Sequence, residues 1–193
     1  ANGGGGAGGI VYKSSYTFTS TDIANGIAYS VGAGGIGVGM NSVTDGVHGA
    51  TEGVGNDGGD TTFAISGGTI TAKGGGTSGG YDASAYRVAR QGGSGGGGCH
   101  NDYSGASSNQ GTFSGWTSYG NSGGTGSGSA GGGGGGAGSA GANYSGSNGG
   151  AGGSGVLFSN FTSYGASGYF GGGGGGASES GTAGTAQHGG GAG

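Results

Sequence analysis

Three serines, Ser78, Ser94 and Ser122, stand in Gly-x-Ser-x-Gly settings, the pattern that mounts a hydrolase nucleophile on a sharp turn. With 26 serines and 67 glycines in 193 residues, about three such matches arise by chance, so the pattern carries no hydrolase reading. Cys99 and His100 could pair as nucleophile and base or as metal ligands, but adjacent residues point apart, and His48 and His188 lack ligand spacing. Asp57 and Asp60, with Asp45 and Glu52 nearby, offer oxygens to a hard cation. They lack EF-hand spacing, and Asn, Asp and Gly are also what turns require, so both readings stay open. Arg87 and Arg90 share a short loop that reads as a solvated surface or as a pocket for an acidic sugar. Asn143-Tyr-Ser145 and Asn160-Phe-Thr162 match glycosylation sequons. No group of residues combines nucleophile, base and oxyanion donor, so no enzyme and no cofactor is expected, and no residue is assigned as a metal ligand.

The elements that must position these residues are built mainly from glycine. Residues 131–136 are six consecutive glycines followed by Ala137, and 171–176 repeat them, followed by Ala177. Each copy follows the same aromatic phrase: Phe113-Ser-Gly-Trp116-Thr-Ser-Tyr119 in one, Phe158-Ser-Asn-Phe161-Thr-Ser-Tyr164 in the other. A glycine run can adopt the left-handed threefold extended helix, in which no hydrogen bond closes within the chain. Such rods are stable only when neighbouring rods receive their N–H and C=O groups. A rod facing solvent can carry a side chain at every third position, as the interruptions in 92–98 and 149–155 suggest. Collagen is excluded because there is no proline and no strict Gly-X-Y register.

Leu, Ile, Val and Phe supply only 21 residues, too few for an oil-drop core, yet just 12 residues are charged and ten Tyr, six Phe and one Trp are present. An ordered glycine scaffold explains this better than a disordered chain. The net charge of −4, with four basic residues, argues against nucleic acid or an anionic membrane as partner. No apolar run reaches transmembrane length and none reads as a signal peptide. The single cysteine, Cys99, cannot form an internal disulfide. The start at Ala1 and the end in glycine read as a piece of a longer polypeptide.

All six isoleucines and seven of the eight valines precede residue 89. Residues 10–19 read as a strand with Tyr12, Tyr16 and Phe18 on one face, 27–31 as a strand returning after the Asn25-Gly26 turn, and 61–65 with 69–72 as a hairpin. The expected fold is mostly irregular and all-β. It is one glycine-rich domain over 1–193, with a β-rich part at 1–76 followed by a bundle of polyglycine II helices joined by aromatic loops at 77–193.

Gly3-Gly-Gly-Gly-Ala-Gly-Gly9, a short β segment, Tyr29-Ser-Val-Gly-Ala-Gly-Gly35, an acidic glycine loop, Gly58-Gly-Asp-Thr-Thr-Phe63, Ala72-Lys-Gly-Gly-Gly76 and the run 92–98 follow one another over the first half of the chain. In that order they resemble the glycine-rich domain of bacteriophage tail-fibre and related surface proteins, and in style the polyglycine-sandwich adhesins. The family's opening apolar strand has no counterpart, and its closing strand is represented by Gly153-Ser-Gly-Val-Leu157. The resemblance implies a virion module binding a bacterial surface glycan or outer-membrane protein, with other tail-fibre subunits as partners. The receptor candidates are Tyr103, Trp116, Tyr119, Phe161, Tyr164 and Tyr169. A purely structural fibre module is the alternative, and an ice-binding protein a third reading that lacks a regular Thr or Ala row. Trp116, Tyr119, Phe161 and Tyr164 are expected at one end of the rods, because successive rods joined by short connections should alternate in direction.

Overall fold

The computed structural model describes residues 1–36, 55–80, 88–99 and 103–188. Strands are short and irregular chain predominates, in keeping with the expected class. β1 (Ile10–Tyr12) pairs antiparallel with β5 (Thr117–Tyr119), β2 (Tyr29–Ser30) with β3 (Thr61–Ile65), β3 with β4 (Gly68–Ala72), and β6 (Val156–Leu157) with β7 (Tyr169–Phe170). The 61–72 hairpin forms as read from the sequence. The expected strand over 10–19 does not: β1 stops at Tyr12, and α1 (Ser20–Asn25) forms between that stretch and the expected Asn25-Gly26 turn. The cause is a capping box. Thr19 Oγ1 accepts from the Asp22 N–H, while Asp22 Oδ2 accepts from the Thr19 N–H at 2.8 Å.

The glycine runs are extended segments tied together by backbone hydrogen bonds. Along 131–137 the donors have a period of three. The N–H groups of residues 131, 134 and 137 donate to Ala177, Gly174 and Gly171; those of 132 and 135 to Gly98 and Gly95; those of 133 and 136 to Ala142 and Ser139. The carbonyls repeat the rule outward: 131 and 134 accept from Gly150 and Gly153, 132 and 135 from Gly4 and Ala7, and 133 from Gly124. The six partners also bond to one another in a closed ring, through Ser94 to Ala7, Gly95 to Asn121, Gly141 to Ser122, Ala142 to Ala151, Gly173 to Gly153 and Gly174 to Gly5. The interior therefore consists largely of paired backbone rather than apolar side chains. The buried apolar residues among those described are Ile70, Ala89, Cys99, Ala130 and Ala137.

The pairings fix direction. Runs 3–9, 131–137 and 149–155 point one way, and 92–98, 120–126, 139–142 and 171–177 the other. The expected alternation fails between 131–136 and 149–155, which are parallel, because the unforeseen segment 139–142 descends between them. One consequence is that the bend at 137–138 lies at the aromatic end, whereas 144–148 lies opposite.

Close approach explains the glycines. A Cβ at any of Gly131 to Gly136 would collide with a backbone oxygen of a neighbouring run: Gly5 for Gly134, Ala151 for Gly133, Asn121 for Gly135. At the rim the rule relaxes. Asn148, Ala151 and Ser154, three residues apart, carry side chains while the glycines between them face neighbours.

Candidate functional site

Run 3–9 ends in β1, the first aromatic phrase ends in β5, and β6 and β7 close the second phrase, so the β1–β5 ladder and the second loop meet at one end of the runs. Phe158 is the hub. Its ring centroid lies 4.6 Å from Tyr12, 5.9 Å from Tyr119 and 6.1 Å from Phe170, and Phe170 meets Phe161 edge-on at 6.4 Å. A second group lies beyond β1. Tyr16 lies 5.7 Å from Trp116 and 5.3 Å from Phe18, and Phe113 meets Trp116 edge-on at 6.3 Å. Such pairs contribute about 0.5–1.5 kcal/mol each beyond area burial. Lys13 Nζ stands 5.7 Å from the Trp116 ring and 5.9 Å from that of Tyr16, a cation over two aromatic faces.

Trp116, Tyr119, Phe161 and Tyr164 thus share one end, as expected. They differ in exposure. Tyr119 and Trp116 are half-buried in the ring clusters, whereas Phe161 is 43% and Tyr164 67% exposed, with Leu157 at 48% beside them. Tyr169 is half-buried and stacks on His188, centroids 4.1 Å apart at 12°. Tyr103 does not belong to the group. Its carbonyl accepts from Gly126 at the far end of run 120–126, because residues 103–109 form a segment climbing beside 92–98 rather than part of a loop.

Asp22 anchors the end from below. Only 3% exposed, it accepts from Tyr16 Oη (2.9 Å), the Thr19 N–H and hydroxyl (both 2.8 Å) and the Ser66 N–H (2.5 Å), joining α1 to the β3–β4 turn and to an aromatic ring. Desolvation alone would raise its pKa. The bonds from Ser66, Thr19 and Tyr16 outweigh that and hold the carboxyl far below its ordinary 3.8. Burial, followed by the bond to Asp22, raises the Tyr16 phenol above 10.0.

The remaining sequence candidates have local partners. Asp57 accepts from the Thr77 N–H at 2.8 Å and faces Arg90 at 3.6 Å. Asp60 accepts from Lys73 Nζ at 2.7 Å and from the Gly74 N–H; the Lys73 bond, then the Gly74 bond, lower its pKa. Asp45, Glu52, Arg87, His48 and His100 lie outside the described residues. Ser94 is fully buried, its Oγ accepting from the Asn121 N–H at 3.4 Å. The buried Cys99 thiol donates to the Gly80 carbonyl at 3.1 Å. Among the described residues no three His, Cys, Asp or Glu gather as a metal site, and no helix is long and apolar enough to cross a membrane.

The sequence reading missed Phe158 as hub and Lys13 beside Trp116. Phe158 was visible as the opening residue of the repeated phrase, and Thr19-Ser-Thr-Asp22 carried the capping signal. Compared with family models, curated proteins and solved structures, the chain gives no match.

Proposed function

We propose that the glycine runs are polyglycine II helices and that the chain is a non-enzymatic phage tail-fibre or adhesin module. In this reading its aromatic end binds a bacterial surface receptor, a glycan or an outer-membrane protein, and other tail-fibre subunits carry it on the virion. The scaffold part rests on the period-three hydrogen bonding of 131–137, since a threefold helix presents every third N–H to the same neighbour. Through-hydrogen-bond couplings from Gly132 to Gly98, Gly133 to Ala142 and Gly134 to Gly174 would test it. A β-type two-residue alternation in their place would refute it.

The observation that carries the binding part is the convergence of the two aromatic phrases at one end, with Phe161, Tyr164 and Leu157 open to solvent. Rigid aromatic rings supply amphipathic contact area at little entropic cost, and that suits a sugar face or a protein receptor. Phe161→Ala with Tyr164→Ala removes exposed rings and leaves the Phe158 hub in place. The expected result is a folded protein whose melting temperature falls by no more than the loss of the Phe161–Phe170 pair, with at least about a tenfold loss of adsorption to host cells, equal to about 1.4 kcal/mol. Normal adsorption by the folded double variant would overturn the reading.

One observation favours a structural role instead: Tyr12, Tyr119, Phe158 and Phe170 pack on one another as a cap over the ends of the runs. In that case the same double variant adsorbs normally but fails to enter particles. Ice binding is separated from both by a thermal-hysteresis measurement.

A further inference from the structure

Beside the hydrogen-bonded cluster, run 3–9 and residues 72–77 form two walls of an open cleft of about 450 Å³, with 33–35 and 56–61 opposite, and glycine supplies most of its lining. Run 3–9 uses two of its three rows of donors. Gly3, Gly6 and Gly9 donate to Gly79, Gly76 and Lys73, and Gly4 and Ala7 to Gly132 and Gly135. The third row is open. Gly5 and Gly8, both exposed and both lining the cleft, have N–H groups that bond to no described residue, and the same holds for the N–H groups of Gly34 and Gly75 and the carbonyl of Gly6. The charges nearby are engaged, Lys73 with Asp60 and Arg90 with Asp57, so backbone polarity rather than an ion would select a ligand.

Along run 131–137 each row of N–H groups three residues apart is met by the carbonyls of an adjoining run, and a Cβ on any of its glycines would strike backbone. The cleft offers the same row of donors and the same bare walls with no run among the described residues to meet them. We propose that it binds an extended glycine-run segment of a partner polypeptide, added to the lattice as one more run. Recognition is main-chain addition of the kind that edge strands perform in sheets, transferred to a threefold spacing. The proposal rests on the polyglycine II reading of the scaffold and is independent of the receptor-binding reading.

Acetyl-hexaglycine amide, added to the whole chain, serves as the probe, with amide exchange read residue by residue. The expected result is exchange slowed by about tenfold or more at Gly5 and Gly8. Gly5→Ala and Gly34→Ala should abolish the effect without lowering the melting temperature, because a Cβ at either position meets nothing within 4 Å of its own chain. No slowing at saturating peptide, or equal slowing in the alanine variants, overturns the proposal. Slow exchange at Gly5 and Gly8 before peptide is added also overturns it, since the chain or a second copy would then fill the cleft. Exchange at Gly132 to Gly135 in the same spectra reports the scaffold separately: fast exchange there sinks the rod reading, whereas slow exchange there with no peptide effect sinks only the cleft.

Discussion

A methyl group at Gly134 would meet the carbonyl oxygen of Gly5, and one at Gly5 would meet nothing. Glycine 134 is thus required for close approach, whereas Gly5 is not. Gly134→Ala should destabilise by about 1–3 kcal/mol or more, through overpacking and the loss of paired backbone groups. Gly5→Ala should lie within about 0.5 kcal/mol of the parent, and thermal melts compare the two. Alanine scanning across 131–136 should find every position damaging, since each Cβ faces backbone oxygen. The sequence suggested position-dependent effects instead, because the composition of a run does not tell whether neighbours enclose it on all sides. At Asp22 the test is pH. Its carboxyl is held below 3.8 in the folded chain, so its contribution is present above that value and is lost as pH falls through the folded pKa. Melting temperature should therefore decline below about pH 4. Asp22→Asn should melt lower at neutral pH with a shallower acid dependence, and an unchanged acid slope would assign that sensitivity to other carboxylates such as Asp60.

Elements here are short, and neighbours decide them. β1 is three residues long and exists because β5 lies beside it; isolated, neither would persist. The hairpin of β3 and β4 was legible because alternation and a glycine turn are local signals. The β1–β5 pairing was not legible, since its partners lie more than a hundred residues apart in sequence and nothing local couples Ile10 to Tyr119. Residues 13–19 were misread because the parity of Tyr12, Tyr16 and Phe18 imitates a strand, while the Thr19–Asp22 box had already set the start of α1. Removing that cap with Thr19→Ala should cost about 0.5–2 kcal/mol. Phe158→Ala, which removes three ring contacts at once, should cost about 2–4 kcal/mol and loosen Tyr12, Tyr119 and Phe170 together. Chemical denaturation reads both changes, and loss of near-ultraviolet dichroism in the second reports the loosened rings.

Across the whole molecule, the likeness of the two aromatic phrases revealed that they belong together, but the alternation argued from the sequence is not what puts them at one end: residues 103–109 and 120–126, read as part of a loop, run the length of the cluster and carry the first phrase to the end where the second lies. The missed segment 139–142 shows the limit of the argument: Ser139-Ala-Gly-Ala142 is too short and too mixed to read as a run, yet it completes the ring around 131–137. Cys99 offers a global probe. Its thiol is fully buried, so a thiol reagent should modify it only as fast as the molecule opens, and fully once denaturant is added. Rapid labelling of the native chain would show that run 92–98 opens locally.

The ring around 131–137 also governs how the chain is made. Its members include residues 2–9, which leave the ribosome long before residues 171–177, and the Ala177 N–H donates to the carbonyl of Asn2. At about 5–20 residues per second, the early glycines wait many seconds for their partners. Nothing in the first half can close the cluster alone, because every N–H of the central run needs an acceptor from a different stretch of chain. Chains halted before residue 171 should therefore be open to protease along 131–137, and full-length chains resistant there. Closure of the ring waits until residues 171–177 have emerged, a high-contact-order assembly in which the centre is completed by segments made far apart in time.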